Sequence, residues 1–116
     1  MNNVTITDSN LIVEPQGLDK VFSFKSKLTI PLIHVQGATF DPGFNQEPKG
    51  IRAPGLHIPG KWAGTFILKG EKTFWNVSNA TSTIVIRLID EDFVQLVLTV
   101  ENSKEIVDSI NKAISK

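Results

Sequence analysis

Apolar residues recur at every second position over several stretches of this chain, and at every third or fourth over one long stretch near its end. In residues 28–40, Leu28, Ile30 and Leu32 alternate with other residues, and then the phase switches so that Ile33 and Val35 carry the next apolar positions. A switch beside Pro31 implies a bend, because proline is confined to strand starts, edges and bulges, and a bulge re-aims the side chains that follow it. This stretch reads as one long strand, kinked near Pro31 and Leu32 and loosened again at Gly37. Residues 4–7 and 11–13 are short β-branched runs split by the turn-forming triplet Asp8-Ser9-Asn10, which fits a small hairpin or a bent first strand. Residues 17–24 place Leu18, Val21 and Phe22 at helical spacing but over a short span, so one helical turn and another strand both fit.

Further along, residues 64–68 and 73–77 flank Lys69-Gly70-Glu71-Lys72, a short glycine-containing connection of the hairpin kind. Residues 83–89 alternate Ile84, Ile86 and Leu88 on one face, and residues 94–100 alternate Val94, Leu96, Leu98 and Val100, with Asp90-Glu91-Asp92 as the turn between them. These four strands are expected to form an antiparallel meander. Ile106, Val107, Ile110, Ala113 and Ile114 then mark one amphipathic helix, and Asn102 followed by Glu105 resembles a capping box at its start. A bent antiparallel sheet needs a cover for its apolar face, and this helix is the only long apolar stripe available. The expectation is a mainly β single domain over residues 1–116, a small split barrel or two packed sheets, closed by a C-terminal helix.

Composition narrows the chemistry. The 116 residues suit one domain with a core that needs no disulfide or metal. Twelve basic and twelve acidic residues balance, so no overall bias toward nucleic acid or an anionic membrane exists. Without cysteine there is no disulfide, thiolate nucleophile or cysteine-ligated metal. The first residues lack both a basic start and an apolar stretch, and no window approaches the ~20 apolar residues that span a bilayer, which suggests a cytoplasmic protein.

The run from Asp41 to Gly60 carries four of the six prolines and four of the eight glycines. It reads as a long, stiffened surface loop, with Pro54-Gly55 and Pro59-Gly60 each suited to the centre of a type II turn. The segments Leu28-Thr29-Ile30-Pro31-Leu32-Ile33-His34-Val35, Arg52-Ala53-Pro54-Gly55-Leu56-His57-Ile58-Pro59-Gly60, Ala63-Gly64-Thr65-Phe66 and Phe74-Trp75-Asn76-Val77 resemble a family of small bacterial proteins with a pleckstrin-homology-like fold. The resemblance covers most of the chain after Leu11. It implies a fold and supplies no catalytic residues. Pleckstrin-homology domains elsewhere bind phosphoinositides, peptides or proteins, but fold analogy alone does not license lipid binding.

Few residues stand out as chemical. The two histidines, His34 and His57, match no metal-ligand spacing, and His34 is expected as a buried or half-buried strand residue bonded to backbone. His57 sits among turn residues that fix its direction, which suits binding or an oligomer contact as well as loop packing. Arg52 heads the Arg-Ala-Pro-Gly turn, where it pins the loop or clamps an anion. Arg87, on the polar face of its strand, is expected in solvent. Phe66, Leu68 and Phe74 alternate as a core does, so Trp62 and Trp75 are better interface anchors than nucleotide platforms. Asp90, Glu91 and Asp92 are too closely adjacent in one turn to converge on a cation. No nucleophile elbow, phosphate loop or dinucleotide fingerprint is present, so no enzyme or cofactor is indicated. The sequence thus suggests a non-catalytic binding or assembly module. It would dock a protein partner or a second copy through residues 41–62, with Arg52, Leu56, His57, Ile58, Trp62 and Trp75 as candidate contacts. The alternative is a small-anion binding protein or enzyme using Arg52 and His57, and a third possibility is weak anionic-lipid binding through Lys20, Lys25 and Lys27.

Overall fold

Alternation is realised most plainly in β2 (Asn10–Pro15), where Leu11, Val13 and Pro15 are buried and their neighbours half-exposed. The computed structural model describes residues 2–15, 27–42, 51–58, 61–77 and 82–115. β1 (Asn2–Ile6) and β2 form the hairpin expected at the start, and β3 (Leu28–Pro31) joins them in an antiparallel sheet of order β1-β2-β3. Thr7 closes the hairpin: its N–H donates to Asn10 O at 2.9 Å and its hydroxyl accepts from Asn10 N–H at 3.0 Å.

Pro31 does more than kink a strand. Leu32–His34 wind into a 3₁₀ turn, and the chain resumes as β4 (Val35–Phe40) in a different sheet. Such a turn has three residues per turn and no period of two, so the extrapolated alternation fails here. Val35 is buried, but Ile33, expected to face inward, is 85 % exposed. The loosening expected at Gly37 is present as a register shift between Val35 and Gly37.

The second sheet contains β4, β5 (Ile51–Ile58), β6 (Lys61–Leu68), β7 (Glu71–Val77), β8 (Thr83–Leu88) and β9 (Phe93–Thr99), in the order β4-β8-β9-β7-β6-β5. The β6–β7 hairpin forms as expected. Its turn residues Lys69 and Gly70 have φ of 54° and 81°, the positive pair that matches strand twist in a two-residue connection. The meander does not form. β9 lies between β7 and β8, antiparallel to β8 and parallel to β7. Burial explains the placement: Thr73 to Val77 and Leu96 to Thr99 are buried without alternation, and strands covered on both faces belong in the middle of a sheet.

The main core lies between the two sheets. Leu11, Val13 and Ile30 come from the first; Val35, Ala38, Phe74, Ile84, Ile86, Leu96 and Leu98 come from the second. The helix α1 (Ser103–Ile114) closes it with fully buried Ile110 and with Ile106, Val107 and Ile114 packed against the cluster. The sheets do not close into a barrel. The capping box does not form either: Asn102 takes a left-handed conformation, φ 53° and ψ 44°, and makes no side-chain cap bond. A capping side chain works from an extended residue, and only the Asn102 carbonyl, accepting from Ile106 N–H at 3.0 Å, begins the helix.

Two asparagines hold the layers in register. Asn2 donates to Asn76 O at 3.1 Å and to Thr99 O at 2.9 Å, and its Oδ1 accepts from the Asn76 amide at 2.7 Å. Asn111 reaches from α1 to β4, where its Oδ1 accepts from Ala38 N–H at 2.9 Å and its Nδ2 donates to Ala38 O at 3.0 Å. β4 ends the sheet, so this amide occupies the hydrogen-bonding positions that a further strand would take.

Candidate interaction site

The proline- and glycine-rich run is not one long loop. Ile51–Ile58 form β5, paired antiparallel with β6, so the type II turn expected at Pro54-Gly55 is replaced by strand. Proline is tolerated because β5 stands at the end of the strand order, and because the register shifts between Arg52 and Gly55, giving the ladder a break where Pro54 has no N–H to donate. Pro59-Gly60, Phe44 and the rest of residues 43–50 lie outside the described residues, as do Lys20, Lys25 and the 17–24 stretch.

The shift decides which candidates share a face. Arg52 and His57 are five positions apart, an odd spacing that puts them on opposite faces of a regular strand. Here Arg52 stands opposite Phe66 and His57 opposite Trp62, and those two positions are four apart on β6. The extra residue in β5 therefore brings positions 52 and 57 to one face. Leu56 and Ile58 stand opposite Ala63 and Lys61, so the register sends them to the other face. The six candidates do not form a single patch.

Trp75 belongs to the face of Phe66, and it is buried with 2 % exposure. It packs edge-on against Phe66 with ring centroids 6.3 Å apart and planes at 75°. Phe66, Trp75, Val77, Val85 and Val97 make a second small core on this side of the sheet. Across from Trp75 stands Gly64, whose φ of 117° is open to glycine and strained for any other residue.

The remaining candidates have partners in the fold. His34 is half-buried in the 3₁₀ turn rather than in a strand, and its Nδ1 pairs with the Glu91 carboxylate at 2.5 Å rather than with backbone. Lys72 takes Asp92 at 3.2 Å, so two carboxylates of the acidic triplet, Glu91 and Asp92, point to different partners. Arg87 is exposed as expected and donates to Gln95 at 3.3 Å, whose amide reaches the Thr73 hydroxyl at 3.4 Å. Among the described residues no three metal-ligating side chains gather, and no helix is long and apolar enough to cross a membrane.

A cavity of about 270 Å³ opens between β1 and the start of α1, bordered by Asn2, Asn3, Val4, Val100, Glu101 and Ile106. Among the described residues, Trp75 does not border it. Sequence reasoning also missed Asn111 and Ile33. Asn111 was detectable as a polar residue flanking Ile110 on the helix, whereas Ile33 was hidden by an alternation that ends at the 3₁₀ turn. Compared with family models, curated proteins and solved structures, the chain has no match.

Proposed function

We propose that this chain is a non-catalytic, pleckstrin-homology-like binding or assembly module that engages a protein partner or a second copy of itself through residues 41–62, with β5 as the docking strand. The observation that carries this is the place of β5: eight residues at the end of a six-stranded sheet, hydrogen-bonded to β6 on one side only among the described residues. An edge strand presents a row of backbone donors and acceptors to which another strand adds. The other end of the same sheet is clasped by Asn111, so the two edges differ in availability. Two sheets with a C-terminal helix agree with a pleckstrin-homology-like plan; the parallel β7–β9 pair departs from the meander such a plan expects.

Light scattering behind a sizing column tests the assembly. Wild type is expected as an oligomer. Leu56→Asp/Ile58→Asp and, on the opposite face, Arg52→Glu/His57→Glu are expected to lower its mass, with far-UV circular dichroism showing that each variant folds. An oligomer that neither variant disturbs removes β5 from the interface; a wild-type monomer removes self-association.

The small-anion alternative has one observation in its favour, the shared face of positions 52 and 57. Four residues of strand separate their partners, about 13 Å of backbone, which is far for one small anion and suits a ligand with two anionic ends. A thermal shift with the long dicarboxylate sebacate but not with acetate, lost in Arg52→Ala, is its expected sign.

A further inference from the structure

Among the described residues, the large apolar side chains left most open are Ile33, 85 % exposed, and Ile89, 45 % exposed. They are neighbours. Ile33 is the middle residue of the 3₁₀ turn, and both ends of that turn are tied down. Leu32 N–H donates to Ser9 O at 2.9 Å, and His34 O accepts from Ile89 N–H at 2.8 Å. The His34–Glu91 pair adds a side-chain tie to the β8–β9 turn. Ile33 is therefore held outward on an anchored turn, which lowers the ordering cost of inserting it into a partner.

The surroundings specify the partner's charge. Asp8 precedes Ser9 and Asp90 follows Ile89, so a carboxylate flanks each of the two backbone ties. Both are exposed and, among the described residues, neither is in an ion pair, whereas Glu91 and Asp92 are taken by His34 and Lys72. Uncompensated carboxylates beside an apolar tip repel an anionic lipid surface and complement a basic protein one. We propose that this end of the molecule, with Ile33 as the inserted anchor and Asp8 and Asp90 as its rim, docks a protein partner that offers an apolar pocket bordered by lysine or arginine. The surface is separate from β5 and does not depend on the function proposed above.

An amphipathic lysine–leucine helical peptide serves as the probe, with its glutamate–leucine counterpart and phosphatidylserine vesicles as comparisons, read through the methyl signals of Ile33 and Ile89. Saturable shifts centred on Ile33 with the lysine peptide alone are expected. Ile33→Ser is expected to weaken binding about ten- to hundredfold. Asp8→Asn/Asp90→Asn should weaken it about fivefold and flatten its dependence on salt. Because Ile33 packs on so little, Ile33→Ser keeps its melting temperature, which separates lost docking from lost folding. The proposal is overturned by no saturable binding, by equal binding of the glutamate peptide, by shifts located away from Ile33, by an Ile33→Ser variant that binds like wild type, or by vesicles binding where the peptide does not. Leu56→Asp/Ile58→Asp leaves this binding unchanged, so its outcome is independent of the β5 interface.

Discussion

Asn111→Ala isolates what a single side chain does at the end of a sheet. The wild-type amide satisfies both backbone groups of Ala38, at 2.9 and 3.0 Å, and Ala38 is itself only 8 % exposed. Truncation removes one donor and one acceptor together. A buried polar group stripped of its partner costs about 1–3 kcal/mol, and water reaches an edge strand more readily than a central one, so the pair should cost about 2 kcal/mol in total. Alanine's higher helix propensity offsets about 0.5 kcal/mol of that. For a domain of this size the unfolding entropy is about 0.24 kcal/mol/K, so a net loss of ~1.5 kcal/mol lowers Tm by about 6 °C. Urea titration followed by tryptophan fluorescence measures it, with Ser109→Ala, on the exposed side of the same helix, as the control. The control should stay within about 0.5 kcal/mol of wild type. An Asn111→Ala variant as stable as Ser109→Ala, with an unchanged urea slope, refutes the clasp as a stabilising contact.

The other predictions probe separate parts of the frame. Leu96→Ala, at a position with no exposure in the main core, should lose about 3–4 kcal/mol in chemical denaturation, and a loss under 1 kcal/mol contradicts the packing described. Gly70→Ala puts a Cβ at φ 81° where nothing within 4 Å obstructs it, so the cost is backbone strain alone, about 1 kcal/mol by thermal unfolding. A double-mutant cycle on His34→Ala and Glu91→Ala should return a coupling of about 0.5–1 kcal/mol, given side chains 27 % and 23 % exposed; zero coupling denies the tie between the 3₁₀ turn and the β8–β9 turn.

Much of the fold was legible because it is written in local patterns. A short β-branched run beside a turn triplet located β2, alternation located β8 and β9, the glycine connection located the β6–β7 hairpin, and a stripe of Ile106, Val107, Ile110 and Ile114 located α1. Strand order was not legible. Ile84 to Leu88 and Val94 to Val100 carry the same alternation whether β9 lies outside β8 or between β8 and β7, since order is fixed by burial of the second face, which period two does not encode. Proline and glycine misled at residues 51–58 for a related reason. They are read as loop signals on the assumption of a regular ladder, and here the ladder has a break at Pro54 and, among the described residues, a partner on one side only. The candidate site inherited that error: five of its six residues were placed in or beside a loop and lie instead in the β5–β6 hairpin, while Trp75 is core.

The two ends of the six-stranded sheet also constrain how any association through β5 would grow. Pairing β5 of one copy with β4 of the next is head-to-tail and does not stop at two copies, building rings or filaments; pairing β5 with β5 is two-fold and closes at two copies. Asn111 occupies the backbone groups of Ala38 on the β4 side, which disfavours the head-to-tail arrangement. Asn111→Leu replaces the amide with an apolar side chain of similar size and leaves those groups without it. On the proposed function it should convert a closed dimer into a species whose mass climbs with concentration, and adding Leu56→Asp/Ile58→Asp should abolish the climb. Growth that persists in the combined variant would mean that copies join without β5, and the asymmetry between the edges would then have no bearing on assembly through β5.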